Sequence, residues 1–326
     1  MVYQVSMMIL KRATMSNKIE SRDISIIVQG QLFKSEHSST LDVLQSIRKY
    51  YPNAEVILST WTGSEISPLY QSLCDQVVLS DDPGDGSYGK PPLNINRQIV
   101  SSRAGIDKAT RTYAIKTRTD LIFTSDSLAS FMGLTLERTP EFSLGFGHIC
   151  VADFSTRSHI SGLKVPFWVC DFVYAGRKED VKKIFDVNLY TKNDFEYYLT
   201  HPKPDYMYRQ SDVFQYTPET YFAYNYLKQG RDIPFENSYD NNSIAMELYG
   251  NLLINNFIVL GEEQLGITSL KYHLPIHPPR KIMTYPKWSK LYLEKYDFVI
   301  PKPSLFQDQF EYLKYKWNKK RKSSFK

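Results

Sequence analysis

Cysteine is scarce in this chain. Cys74, Cys150 and Cys170 are its three cysteines, far apart and odd in number, without the paired spacing of a disulfide framework or a zinc site. A reducing, cytoplasmic setting is expected. Long apolar runs are also missing: no stretch reaches the roughly 18 consecutive apolar residues of a spanning helix. The opening "MVYQVSMMILKRATMSNK" holds only a short apolar patch with basic residues beyond it. The expectation is neither a secretory signal nor a transmembrane segment. The body lacks an excess of either charge. From Glu311 onward, "EYLKYKWNKKRKSSFK" carries seven Lys or Arg against one Glu, a net +6 out of the chain's +5, so the remainder carries −1. A neutral body has no broad basic face for duplex binding, which argues against nucleic acid. The basic tail, interleaved with Tyr312, Tyr315 and Trp317, suits an anionic membrane surface, or else a solvated terminus.

What is present is core-forming material. A chain of 326 residues with 42% hydrophobic and 14% aromatic content can bury a substantial core, and its length fits one large α/β domain or two smaller ones. "DISIIVQ" (Asp23 to Gln29) is an apolar run without strict alternation, the mark of a strand buried on both faces of a parallel sheet. Ser39 or Thr40 can cap a helix with Leu41, Leu44, Ile47 and Tyr51 on one face, Asp42 in its first turn and Pro52 at its end. "AEVILSTW" then reads as a second strand, completing a βαβ unit. "DQVVLS" continues the pattern, and "DDPGDGSYGKPP" must be a loop. Loops in that position, at the carboxyl ends of parallel strands, are where open α/β sheets take ligands.

A helix is predicted from Asn94 through Ile95, Ile99 and Ile106 to Ala109, feeding the strand in "YAIKTRTDLIF" (Tyr113 to Phe123). Beyond Ser125, "WVCDFVYAG" (Trp168 to Gly176) reads as a strand and "KEDVKKIF" as a short helix. "TPETYFAYNYLKQG" reads as a helix with Thr217 at the N-cap, Pro218 at its first position and Gly230 past its end. "NNFIVL" (Asn255 to Leu260) reads as a late strand. No repeat and no long linker divides the chain. The expected organisation is a lead-in over 1–22, a ligand-binding half over 23–125, a second half of the same domain over 126–300, and the basic tail over 301–326.

"SRAGIDKATRTYAIKTRTD" (Ser102 to Asp120) resembles the GT-A glycosyltransferase stretch that reads Arg-Asn-x-Gly, a helix end, a strand, then Asp-x-Asp. Arg103 and Gly105 fall at the Asn and Gly positions, Arg118 at the first Asp and Asp120 at the second, so the chain departs from the pattern at the first carboxylate. A closer likeness runs from Asp23 to Tyr272, through "ISIIVQG", "SIRKYYPNAEVILSTWTGS", "DDPG", "NINRQIVSSRAGIDKA", "YAIKTRTDLIF", "LINNFIVL" and "QLGITSLKY". These segments resemble the WavE lipopolysaccharide-synthesis family, which is grouped with GT-A transferases.

The resemblance implies a GT-A-like, Rossmann-type α/β fold with a mostly parallel sheet flanked by helices. It also implies transfer of a sugar from a nucleotide-sugar donor to a glycan or lipid-linked glycan acceptor. In that class the Asp-x-Asp carboxylates hold Mg²⁺ or Mn²⁺ against the donor diphosphate. Here Arg118 could bind a phosphate oxygen through its forked donors, while Asp120 binds a metal or the donor sugar's hydroxyls. Without the resemblance, Arg118 and Asp120 could equally be an ion pair on the rim of the sheet.

For the donor, Gln29, Gly30, Ser59, Thr60 and Trp61 lie where the base would sit, with Trp61 stacking on it or simply packing. Asp81 and Asp82 could meet ribose or sugar hydroxyls, although "DDPG" is also turn chemistry. Asn96 and Arg97 open the helix beside this loop, and Arg97 is a diphosphate candidate or part of a solvated face. An inverting transfer needs a general base. Asp171, a carboxylate in an apolar run that must face a cleft or be paired, is the first candidate. Glu219 is the second, with the helix dipole as its alternative explanation, and Asp212 is weaker. His273 and His277 could reach a metal, but Pro275 between them disfavours a shared one.

Three functions remain in view. The first is a glycosyltransferase extending a lipopolysaccharide core, O-antigen or capsular glycan at the cytoplasmic face of a bacterial inner membrane, the tail serving as peripheral anchor. A nucleotidyltransferase is the second, opposed by the lack of a glycine-rich basic loop after the first strand. A non-catalytic GT-A-like module that binds glycan or partner proteins is the third.

Overall fold

The computed structural model describes residues 18–86, 93–207 and 210–296 together with Lys316. The basic tail, Lys316 apart, therefore lies outside the described residues, as do residues 1–17. Strand β1 (Ile24–Gln29) is buried along its whole length, and so is β2 (Glu55–Trp61). An uninterrupted apolar run needs cover on both faces, as the sequence required. Between them, helix Thr40–Tyr50 begins at Ser39. That residue's backbone N–H donates to the Asp42 carboxylate while its hydroxyl accepts from the following turn, a reciprocal cap. β3 (Gln76–Ser80) follows, and helix Ile95–Lys108 leads to β4 (Tyr113–Arg118).

The seven-stranded sheet places β4 and β2 on opposite sides of β1, with β3 at the edge. The β1, β2, β3 and β4 pairings are all parallel. After building β2 and β3 on one side, the chain returns to lay β4 on the other. That reversal opens a crevice at the carboxyl ends of β1 and β4, where Gln29 and Arg118 are register partners.

Helix Ile95–Lys108 packs directly on β1 and β2. Gly105 allows this close approach, because a Cβ there would lie 2.5 Å from Cγ2 of Ile27 and 3.0 Å from Cβ of Ser59. Gly105→Ala is therefore expected to destabilise the fold by about 1–3 kcal/mol through overpacking. A urea titration would show it as a lower midpoint at unchanged slope.

β5 (Leu121–Phe123) leaves the main sheet and, past β10, pairs antiparallel with β11 (Ile267–Ser269). β6 (Ile149–Ala152) is followed by a two-residue ribbon, β7 (His159–Ile160) and β8 (Leu163–Lys164). β9 (Tyr174–Arg177) then inserts between β4 and β6, antiparallel to both, and β10 (Phe257–Leu260) closes that side parallel to β6. The sheet is α/β and mostly parallel with one reversed strand.

The reading of Trp168 to Gly176 as one strand is corrected here. Only Tyr174–Arg177 is extended in the sheet, and residues 168–173 are irregular. Their partners lie in the segment after β6: the Arg157 N–H donates to the Trp168 carbonyl and the Cys170 N–H to Oγ1 of Thr156. "NNFIVL" is likewise shorter as a strand, since Asn255 and Asn256 end helix Ser243–Asn256. Their carboxamides instead accept the N–H groups of Thr139 and Leu144. The helix over "TPETYFAYNYL" starts at Pro218 with Thr217 as N-cap, as its signals predicted. No helix among the described residues is long and apolar enough to cross a membrane.

One large core runs through both halves of the chain, and a smaller aromatic cluster gathers Trp168, Tyr198, Met207 and Tyr239 beside it.

Candidate functional site

A cleft of about 310 Å³ opens at the carboxyl ends of β1 and β4. From β1 and its turn come Gln29, Gly30, Gln31, Leu32 and Phe33; from β2, Trp61. Gly30 turns the chain with φ +112°, a conformation that favours glycine. The two loops are tied together: Oγ1 of Thr119 donates to the Gln31 carbonyl at 2.6 Å, and Oγ1 of Thr40 donates to the Thr119 carbonyl at 3.1 Å. Ser101 donates to Oε1 of Gln29 at 2.6 Å and fixes that side chain.

The motif of the "TRTD" segment is a forked ion pair. Nε of Arg118 donates to Oδ1 of Asp120 at 2.9 Å and Nη2 to Oδ2 at 2.7 Å. The guanidinium lies 4.2 Å from the Phe172 ring centroid and 5.5 Å from that of Tyr272, so both its plane and its position are fixed. Burial works against the Arg118 charge, but the Asp120 carboxylate more than offsets this and raises its pKa further. Tyr272 is delivered by β11: pairing of Ser269 with Leu121 brings the Leu270 N–H to the Asp120 carbonyl at 2.9 Å.

A second fork stands across the cleft. Nε and Nη2 of Arg97 donate to Oδ1 and Oδ2 of Asp82 at 2.7 and 2.6 Å, and its Nη1 donates to Oδ1 of Asn94 at 3.0 Å. The hydrogen bonds from Arg97 hold the Asp82 carboxyl below its ordinary range. Both pairs are half-exposed or less, and both arginines line the cleft.

Beside the cleft is a set of ionisable groups, Lys116 and Asp171 buried and Glu219 partly so. Gln98 lines the cleft wall and donates from Nε2 to Oδ2 of Asp171 at 2.6 Å. Lys116, in the middle of β4, is fully buried; its Nζ donates to the Asp171 carbonyl at 2.6 Å and faces the rings of Tyr174 and Phe185. Burial lowers its pKa to about 8, against the pull of the nearby Asp171 carboxylate. Glu219, in the first turn of its helix, accepts from Ser155 at 3.4 Å. Burial, reinforced by the Asp171 charge, raises its pKa to about 7. β9 enters the sheet at the edge where β4 leaves it, and β6 runs parallel to β4. Asp171 and Ser155 therefore both sit on the cleft's edge of the sheet.

Of the residues expected at the site, Gln29, Gly30, Trp61, Arg97, Arg118 and Asp120 line one cleft. Asp82 and Asp171 stand behind it, held by Arg97 and Gln98. Thr60 is buried and meets Ser64. The Asn96 carboxamide bonds the backbone of Tyr190 on both sides, which makes it a brace between segments. His277 meets Arg157, Nε2 to Nη2 at 2.7 Å. Gln98, Lys116, Lys271 and Tyr272 were missed. Tyr272 ends the quoted "QLGITSLKY", directly before His273. Lys116 had a signal too, a cation within a buried strand.

The residues do not fit a divalent cation at the Asp120 position. Both oxygens of Asp120 are held by Arg118 and both of Asp82 by Arg97. Among the described residues no three His, Cys, Asp or Glu side chains converge as a metal site.

The family model described as WavE lipopolysaccharide synthesis matches residues 24–324. No curated protein matches the sequence. Similar solved structures include a protein of Aquifex aeolicus VF5, at 12% identity and TM-score 0.27, over 49% of this chain and 71% of that one. A cytidylyltransferase from Leptospira borgpetersenii matches at 10% identity and TM-score 0.30, over 52% and 66%. The 4-diphosphocytidyl-2C-methyl-D-erythritol synthase from Anaerococcus prevotii matches at 13% and 0.34, over 73% and 98%. At these scores the overlaps are partial, and the architecture rests on the strand order given above.

Proposed function

Because the chain belongs to the WavE lipopolysaccharide synthesis family, we propose that it is a glycosyltransferase that moves a sugar from a nucleotide-sugar donor to a growing bacterial surface glycan. Lipopolysaccharide core, O-antigen and capsule are the candidate acceptors. The observation that carries this reading is the pair of forked arginines, Arg97 and Arg118, at a switch-point cleft with a carboxyl of raised pKa beside it.

The donor lies in the cleft, its base against Trp61 and its diphosphate between Arg97 and Arg118. The acceptor hydroxyl approaches from the side of Asp171 and Glu219. Glu219, deprotonated above about pH 7, takes the hydroxyl proton as the oxygen bonds to the anomeric carbon. The bond from that carbon to the diphosphate oxygen breaks, and the nucleoside diphosphate leaves with the electron pair. The arginines stabilise that departing charge. The basic tail holds the protein at the anionic cytoplasmic face of the inner membrane.

The test is to incubate the purified protein with UDP-, GDP- and dTDP-sugars, with and without lipid-linked glycan, and to measure nucleoside diphosphate release. Release that depends on the acceptor supports the reading. Absence of release with every donor would move the assignment to a non-catalytic binding module, the reading favoured by the loss of the first motif carboxylate at Arg118.

A further inference from the structure

We infer that this site neutralises its ligand's diphosphate with Arg97 and Arg118 and without a divalent cation, and that Asp120 is the positioning residue for Arg118. The inference rests on the donor-site reading above and deepens it.

A divalent cation requires several oxygen ligands converging on one point. Asp120 is the one carboxylate lining the cleft among its described residues, and each of its oxygens already accepts a charge-assisted hydrogen bond from Arg118. Asp82 is engaged in the same way by Arg97. Releasing Asp120 to a metal would leave a largely buried guanidinium without its counter-ion and place two cations side by side.

The donors, by contrast, are in surplus. A guanidinium carries five N–H groups. Asp120 takes two from Arg118, so three are left to aim at an anion. Asp82 and Asn94 take three from Arg97, which leaves two. Lys271 adds an exposed ammonium on the same cleft. Among the side chains that line the cleft, the cations Arg97, Arg118 and Lys271 outnumber the one carboxylate, Asp120, while Asp82 and Asp171 stand behind it on Arg97 and Gln98. Phe172 and Tyr272 hold the Arg118 plane, so its forked geometry is ready for phosphate oxygens.

Isothermal titration calorimetry with UDP, GDP and dTDP, in Mn²⁺ and separately in EDTA, tests this. At least one nucleoside diphosphate is expected to bind in EDTA within about three-fold of its affinity in Mn²⁺. Arg118→Met is expected to weaken that binding about ten-fold or more through loss of charge-assisted bonds. Arg97→Gln, at a more exposed position that leaves the core intact, is expected to weaken it similarly. Asp120→Asn, which removes a negative charge but keeps an acceptor for Arg118, is expected to retain binding in EDTA. Binding that requires Mn²⁺ and disappears in Asp120→Asn would overturn the inference and leave the donor-site reading standing. Unchanged binding in both arginine variants would also overturn it. Absence of binding in either buffer would sink both.

Discussion

Glu219→Gln is expected to lower the rate of sugar transfer by about 10²–10⁴-fold, the usual worth of a positioned general base. Its pH profile separates this role from a structural one. In the wild-type protein the groups facing Glu219 are the Asp171 carboxylate, the Arg157 guanidinium and the Thr217 and Ser155 hydroxyls. Burial and Asp171 dominate and bring its pKa to about 7. The base form then grows about ten-fold per pH unit below 7 and saturates above it, so kcat/KM should rise with pH and level off. The residual activity of Glu219→Gln should lack that rise. A parallel drop at all pH values, with the wild-type profile preserved, would assign the effect to packing.

A second large effect concerns Lys116→Met. In the unfolded chain this ammonium keeps its proton up to about pH 10.4. In the folded protein, burial brings the value to about 8; Asp171, Cys170 and Asp120 favour the charge and Arg118 opposes it. Between those values the unfolded state binds more protons, so wild-type stability rises with pH across the window. Below pH 8 the full penalty of about 3 kcal/mol is present. The stability of wild type relative to Lys116→Met should therefore grow by up to about 3 kcal/mol between pH 7 and pH 10, read by urea unfolding at each pH. A constant difference would show that Lys116 does not titrate in its buried position. Activity of the variant should fall by about ten-fold, because Nζ of Lys116 holds the Asp171 carbonyl and, through it, the Phe172 ring under Arg118.

Much of the fold was legible because it is written in local physics. The buried runs of β1 and β2, the cap at Ser39, the Thr217-Pro218 start and the Asn94 helix start each depend on residues within a few positions of one another. The segment over Trp168 to Val173 was not legible in the same way. An apolar run signals burial, but burial against Thr156 and Arg157 looks the same in sequence as burial within a sheet. The direction of β9 was equally hidden, since nothing in "YAGR" encodes which way it runs.

The site divides along the same line. Arg97, Arg118 and Asp120 stood in recognisable motifs at strand and helix ends. Tyr272 and Lys271 reach Asp120 only through the pairing of β11 with β5, about 150 residues away in the chain, and no local pattern announces that. The Arg118–Asp120 ion pair was open to a sequence reading as a pair on the rim of the sheet, but the partner of Arg97 was not. Asp82 could be read as a sugar contact or a turn residue, whereas its carboxylate orients Arg97.

The reversed strand has a consequence for how such a protein can be retargeted. Because β9 runs against β4, the chain arriving along the cleft's edge enters the sheet there. A change of length in the irregular stretch after β6 is taken up before Tyr174 meets Lys116 in register. The parallel strands that carry Gln29, Trp61 and Arg118 need not move. The seam between β4 and β9 thus joins a part fixed by sheet geometry to an irregular part whose Asp171 and Phe172 must keep their places against Lys116 and Arg118.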